Sequence, residues 1–230
     1  MLSLIRALND DDADVFATAA AELSVKGRLT GKDVPNFLEA LKAPKPRTRA
    51  FAAAALGRAG ADSRPAIEAL GGLLKDSDVH VRRESAKALA RSGSKAWISL
   101  AALNQALDDP DPTVQEPVIE ALGHIGVLAR AALPKLVKAR KNPKLHDVAN
   151  QALIQVGKAD VAPLIKALKN AEGIQDRLEL IDLLGKIGPD AEEAIPALSD
   201  LASNANLRST RDAAAKALEQ IRKGGKGNGK

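Results

Sequence analysis

Arginine recurs at one fixed position along the chain, where its planar guanidinium could bind carboxylates or other flat anions. This position holds, in order, Phe16, Arg49, Arg82, Gln115, His146, Arg177 and Arg211. A guanidinium donates hydrogen bonds from a rigid fork that matches planar acceptors. The arginines could form a structural ladder, each bonded to acidic or carbonyl groups at the turn of its own or the preceding unit, with Asp76 and Asp109 as partners. They could instead form an anion-binding stripe.

A second recurring position, nine residues further on, is rich in basic side chains. It holds Arg58, Arg91, His124, Gln155, Lys186 and Gln220, and Lys87 lies beside it. From these we select a candidate partner-binding ridge, which consists of Arg58, Lys87, Arg91, His124 and Lys186. One exposed ion pair contributes only about 0–1 kcal/mol, so binding would need several such contacts along the ridge. The alternative interpretation is an ordinary solvated helix face.

Catalytic and metal-binding patterns are not evident in the sequence. The histidines His80, His124 and His146 are far apart, and none belongs to a paired His-Glu motif. The chain has no cysteine, which excludes disulfides, thiolate metal sites and cysteine nucleophiles. We therefore expect no catalytic residue, no metal and no cofactor, and a protein that is not an enzyme.

A repeated unit must position these side chains. Leucine recurs every 31 to 34 residues, at Leu23, Leu56, Leu89, Leu122, Leu153, Leu184 and Leu218. Glycine follows four residues later in the first six units, and proline often opens a shorter helix, as Pro65 does. A period of this length is typical of stacked helix pairs. The pattern predicts helices throughout, including continuous α-helices over 95–107, 129–140 and 190–203.

Several single residues support more local predictions. Asp78 is expected to cap the helix that follows it, and Gly93 to end that helix in a left-handed conformation. Pro117 falls inside a predicted helix, so we expect a local kink or a late start there. Trp97, the only tryptophan, is expected to pack at a repeat junction because an indole buries a large area.

The acidic turn Asp76-Ser-Asp78, the Val81-Arg82 pair and the closing Ala-Leu-Gly-x-x-Gly at 55–60 and 121–126 resemble HEAT-like repeats. The resemblance is to the short variety first described in phycobilisome bilin lyases. It implies an all-α fold, a right-handed α-α superhelix (α-solenoid) of about seven two-helix repeats over residues 1–222. A disordered Gly/Lys tail would follow at 223–230. It also implies that the second helix of each repeat lines a concave surface, which would carry the ridge.

The composition favours a protein partner over nucleic acid. Aromatic residues make up only 2% of the chain, whereas stacking on bases requires them. The formal charge is +5, but four of the 34 basic residues lie in the last nine positions, so the remainder is nearly neutral. We expect a non-enzymatic scaffold that binds an acidic protein or peptide along the concave surface. Nucleic-acid binding and a role as a bilin-lyase-like enzyme subunit stay open as alternatives.

The sequence contains no apolar run near the roughly 20 residues that span a bilayer. The N-terminal segment also lacks a basic region followed by a long apolar run, so we expect no signal peptide. We therefore expect no membrane contact and a cytoplasmic location.

Overall fold

The structure is a computed structural model that describes residues 2–25, 32–59 and 63–225. Within these ranges it is built of helices and has no strand. The α-helices are α1 Leu2–Ala7, α2 Ala13–Val25, α3 Val34–Ala40, α4 Pro46–Ala59, α5 Arg64–Leu73, α6 Val79–Arg91, α7 Leu100–Ala106, α8 Pro112–Ile125, α9 Leu133–Ala139, α10 His146–Val156, α11 Ala162–Lys169, α12 Ile174–Ile187, α13 Ile195–Asn204 and α14 Arg208–Gly225. The all-α repeat fold expected from the sequence is confirmed.

The chain divides into two compact units, Met1–Leu122 and Gly123–Lys230. The boundary falls within the last turn of α8. In unit 1 the second helices of successive repeats pack against each other, as α4 does against α6. In unit 2 the same relationship joins α12 and α14.

The recurring leucines form the centre of the core. All seven are buried, with exposed fractions between 0% and 8%. Alanine fills the neighbouring helix positions, and Ala52, Ala88 and Ala149 are completely inaccessible. Phe37 is the largest fully buried side chain. Small residues on the second helices therefore let adjacent repeats approach closely, while leucines fill the space between them.

Three predicted α-helices begin instead with a 3₁₀ segment. The segments Gly93–Ser99, Gly126–Ala132 and Gly188–Ala194 precede α7, α9 and α13. In each segment the residues three and six positions after the glycine are buried. They are Ala96 and Ser99, Ala129 and Ala132, and Ala191 and Ala194. A period of three is that of a 3₁₀-helix, so continuous α-helix over 95–107, 129–140 and 190–203 was wrong. The spacing of small residues was the signal in the sequence.

Glycine makes the sharp junction before each of these segments possible. Gly93, Gly126 and Gly188 have φ values of 58°, 68° and 75°, which side chains with a Cβ rarely adopt. The predicted left-handed helix stop at Gly93 is confirmed. Gly157, at the same position of its unit, has a φ of −64° and is not left-handed. The equivalent Gly27 and Gly60 lie outside the described residues.

Of the two outcomes expected at Pro117, the late start is excluded, because the α8 helix already begins at Pro112. Two other local predictions differ from the structure. Trp97 is 52% exposed, because it lies on the outer side of its 3₁₀ segment between the buried Ala96 and Ser99, and its expected packing at a repeat junction was wrong. The α14 helix continues through Lys223 to Gly225, three residues into the expected tail; residues 226–230 lie outside the described ranges.

Candidate functional site

The arginine position has one structural task in every described unit where its residue can donate a hydrogen bond. The side chain donates to the backbone carbonyl six residues earlier, at the turn before its own helix. The pairs are Arg49 to Ala43, Arg82 to Asp76, Gln115 to Asp109, His146 to Arg140, Arg177 to Ala171 and Arg211 to Ala205, with distances of 2.6–3.0 Å. We call these six side chains the turn-capping residues. Arginine, glutamine and histidine share the donor that this geometry requires.

Two of these arginines also bind the aspartate of the following repeat. Arg49 Nε lies 2.7 Å from Asp76 Oδ2, and Arg49 Nη2 lies 2.7 Å from Asp76 Oδ1. Arg82 pairs in the same way with Asp109, at 2.7 and 3.2 Å. Asp76 and Asp109 are therefore the partners, as expected. The expected direction was wrong: the second turn belongs to the following repeat and not to the preceding one.

These ion pairs are well shielded from water. Side-chain exposure is 14% for Arg49 and 8% for Asp76, and 15% and 5% for Arg82 and Asp109. Burial is the largest influence on Asp76 and opposes its ionisation. The hydrogen bonds from Arg49 and the Asp78 N–H, with the charges of Arg49 and Arg82, outweigh it and lower the pKa of Asp76. The pKa values of Arg49 and Arg82 are raised, chiefly by their hydrogen bonds to these aspartates. Both guanidiniums are bonded within the structural ladder, so the anion-binding interpretation is wrong for Arg49 and Arg82.

Unit 2 contains a polar cluster that the sequence did not reveal. Arg140, which is only 3% exposed, occupies the register position of Asp76 and Asp109. Its guanidinium contacts Asp176, Glu179 Oε2 at 2.8 Å and Asn150 Oδ1 at 3.1 Å. His146 Nε2 lies 3.2 Å from the same Glu179 oxygen. This repeat has an arginine at the position of Asp76 and Asp109, and the acidic partners of that arginine come from α12.

In the first repeat the turn is capped from outside its own helix. Phe16 cannot donate a hydrogen bond, and Arg47 of the next repeat donates to the Asp10 carbonyl instead. The Arg47 guanidinium also stacks on the Phe16 ring, 4.8 Å from its centroid. Thr48 donates its hydroxyl hydrogen to the Leu8 carbonyl. The position of Phe16 thus remains structural although its chemistry differs.

The residues of the basic ridge lie on the solvent-facing sides of the second helices. Arg58, Arg91, His124 and Lys186 are exposed, and Lys87 is half-buried. Lys87 pairs with Glu84 at 2.9 Å and Lys186 with Asp182 at 2.7 Å, each on its own helix. Within residues 2–25, 32–59 and 63–225, no carboxylate lies at ion-pair distance from Arg58 or Arg91. Their charges therefore face solvent.

The two unpaired arginines of the ridge are neighbours in unit 1. Gly57 packs so closely on α6 that an added Cβ would lie 2.7 Å from Ala88 Cα and 3.5 Å from Arg91 Nη1. The Arg91 guanidinium thus lies beside the turn of α4 that also carries Arg58. The Arg58 guanidinium is 5.8 Å from the centroid of the Phe51 ring. The structure does not test whether any ridge residue binds a partner.

The described part of the chain lacks two other features. No cluster of three or more His, Asp or Glu residues there could hold a metal ion. None of its helices combines the length and apolar character of a membrane span.

Comparison with known proteins identifies the repeat. A family model described as HEAT repeats matches residues 34–100 and 73–156, which together cover 123 of the 230 residues. The chain belongs to the HEAT repeat family. No curated protein matches this HEAT repeat chain in sequence.

Solved structures resemble the HEAT repeat chain over 96% of its length. One is an engineered protein of the Northeast Structural Genomics Consortium, with 20% identity, a TM-score of 0.61 and 68% of its own chain covered. A designed armadillo repeat protein in complex with the peptide (KR)4 has 19% identity, a TM-score of 0.55 and 98% coverage. The complex of CpcE and CpcF of phycocyanin lyase from Nostoc sp. PCC7120 has 23% identity, a TM-score of 0.55 and 94% coverage. At these identities the likeness establishes the fold, which is that of armadillo and HEAT solenoids.

Proposed function

We propose that this HEAT repeat protein is a non-enzymatic scaffold that binds a segment of a partner protein through its basic ridge. Arg58 and Arg91 form the centre of the binding surface in unit 1, with Lys87 beside them. His124 and Lys186 are the residues that the proposal names in unit 2. An acidic partner and a cytoplasmic location are part of the proposal.

The observation that carries this proposal is the pair of exposed arginines on adjacent second helices. By contrast, Arg49 and Arg82 are held in structural ion pairs. Arg58 and Arg91 have no such partner among the described residues, and the close contact at Gly57 holds their helices together. Exposed arginines are frequent anchors of protein interfaces. The designed armadillo protein bound to the peptide (KR)4 gives the fold a precedent for peptide binding.

Charge reversal tests the proposal. A partner is captured from the native cell and purified, and its affinity is measured for the wild type and for Arg58→Glu/Arg91→Glu. The matched control is Lys42→Glu/Arg64→Glu, which makes the same charge change at two exposed positions of unit 1 outside the ridge. We expect the ridge variant to weaken binding by at least about tenfold without lowering the melting temperature. Equal affinity of both variants would refute the ridge.

Salt titration separates a protein partner from nucleic acid. Binding to a phosphate backbone weakens steeply with salt because condensed counterions are released. We expect the chain to retain no DNA or RNA at physiological salt. Retention that survives deletion of residues 223–230 would favour nucleic-acid binding instead.

A further inference from the structure

In unit 2, Arg177 lacks the aspartate partner that Arg49 and Arg82 have in unit 1. Arg177 is a turn-capping residue, and its Nη2 donates to the Ala171 carbonyl at 2.8 Å. In unit 1 the corresponding arginines also fork onto Asp76 and Asp109 of the following repeat. The register position of those aspartates is here Ala205, whose carbonyl accepts from Arg211. In the described part of the chain, no carboxylate pairs with the Arg177 guanidinium.

A cavity of about 690 Å³ occupies the place of the missing carboxylate. Arg177 and Ala205 both line it, between the end of α11, the α13 helix and the start of α14. In unit 1 the equivalent positions carry the carboxylates of Asp76 and Asp109, which pair with Arg49 and Arg82. With alanine at position 205, the half-buried guanidinium of Arg177 lines this space.

A buried hydroxyl in the same cavity also lacks a partner. Thr210 is 1% exposed and lines the cavity, and its Oγ1 makes no hydrogen bond. Thr48 occupies the same position of its repeat and donates to the Leu8 carbonyl. Buried hydroxyls are normally bonded, so the Thr210 hydroxyl offers a ligand in this cavity a hydrogen-bonding group that no described residue uses.

The charges around the cavity favour an anion. Arg177 and Lys169 supply two positive charges, and Asp200 supplies one negative charge. Asp200 is exposed and accepts a hydrogen bond from Asn204 at 2.8 Å, so it lies at the rim. A carboxylate suits this site because its two oxygens match the guanidinium fork.

The geometry points to a carboxylate-binding site at Arg177, Ala205 and Thr210 that takes an aspartate side chain of a bound peptide segment. The incoming aspartate occupies the place that Asp76 and Asp109 fill in unit 1. It pairs with Arg177 and accepts a hydrogen bond from Thr210. The inference rests on the proposed scaffold function, because the ligand is a segment of a partner protein.

An amidated and acetylated peptide with the chain's own residues 75–79, Lys-Asp-Ser-Asp-Val, is the probe. It copies the turn that Arg49 binds in unit 1 and has no terminal carboxylate. We expect saturable shifts in the amide spectrum of residues 205–210 when this peptide is titrated. A peptide with Asn at both Asp positions should cause none. Equal shifts with both peptides, or none with either, would overturn the inference.

Substitutions at Arg177 and Ala205 give the matched controls. Ala205→Asp supplies the missing carboxylate from within, which the extended backbone at 205 (φ −64°, ψ 135°) accommodates. It should weaken peptide binding at least about tenfold and raise the melting temperature, whereas the isosteric Ala205→Asn should do neither. Arg177→Gln should abolish peptide binding. The double variant Arg177→Gln/Ala205→Asp should have no higher melting temperature than Arg177→Gln alone. A rise in that double variant would exclude pairing with Arg177.

The peptide titration also distinguishes a side-chain carboxylate from a C-terminal one. Together with the charge-reversal experiment, it distinguishes failure of the pocket from failure of the ridge. Binding only of a peptide with a free C-terminus and no aspartate would contradict the assignment to a side chain. Failure of the probe, with partner binding still lost in Arg58→Glu/Arg91→Glu, would refute the pocket alone. If the probe binds but the affinity for the partner is unchanged in Arg58→Glu/Arg91→Glu, the ridge is refuted and the pocket is supported.

Discussion

Arg82 joins two turns of successive repeats through Asp109. Its Nε lies 2.7 Å from Asp109 Oδ2, while its Nη1 donates to the Asp76 carbonyl at 3.0 Å. One guanidinium thus satisfies a carbonyl of its own turn and the carboxylate of the next. Because a carboxylate that is only 5% exposed needs a partner, the pair fixes the spacing between the repeats.

We expect Arg82→Ala to lower the free energy of unfolding by about 2–3 kcal/mol, because it leaves the buried Asp109 carboxylate without its bidentate donor. Arg177→Ala is the matched control, since it removes the same cap without a carboxylate partner, and should cost about 1 kcal/mol. Urea unfolding of both variants measures the difference. Equal losses would mean that the ion pair adds nothing to the carbonyl cap.

The lowered pKa of Asp76 makes part of the stability depend on pH. Its folded pKa lies below the ordinary value of 3.8, so the unfolded chain binds the proton more tightly. The contribution is fully present above about pH 5 and is lost as the pH falls through the folded pKa. We expect the difference in unfolding free energy between wild type and Asp76→Asn to shrink between about pH 5 and about pH 3. A difference that stays constant over this range would contradict the assignment.

The sequence was sufficient to predict the parts of the fold that depend on burial. Burial of a side chain requires an apolar or small residue at each turn of the repeat, so Leu56, Leu89 and their equivalents were visible as a period. The cap at Asp78 was also predictable, because its carboxylate bonds to backbone N–H groups only two and three residues away, at 2.8 and 3.2 Å. Local contacts of this kind leave their mark within a few residues.

Contacts between repeats were harder to predict. The sequence predicted that Arg49 would reach the turn of its own or the preceding repeat, whereas it also binds Asp76 of the following one. Only the three-dimensional stacking determines that direction. The Arg140 cluster was missed because its partners lie 36 and 39 residues away at positions with no repeat signature. For each ridge residue the sequence could predict the helix that carries it and its position in the repeat. Whether a side chain such as Lys87 forms an ion pair depends on its rotamer, which that position does not determine.

Arg140 supports a further prediction, because it is the most buried charged side chain of its cluster. Arg140→Ala would leave the carboxylates of Asp176 and Glu179 close together without a cation, so we expect a loss of about 2–3 kcal/mol. Lys141→Ala, at the exposed next position, should change the unfolding free energy by less than about 0.5 kcal/mol. Urea unfolding again provides the measurement. Similar effects of the two variants would show that the cluster is solvated.

Glycine substitutions in unit 1 test the close helix contact beneath the ridge. In Gly57→Ala the new Cβ would lie 2.7 Å from the backbone Cα of Ala88, so α4 and α6 must separate, and we expect a loss of about 1–3 kcal/mol. At Gly72 nothing lies within 4 Å of an added Cβ, and Gly72→Ala should stabilise the protein by about 0.4–1 kcal/mol because the unfolded chain loses freedom. Thermal and urea unfolding should therefore give opposite signs for the two variants. Stabilisation by both would mean that the two helices do not meet at Gly57.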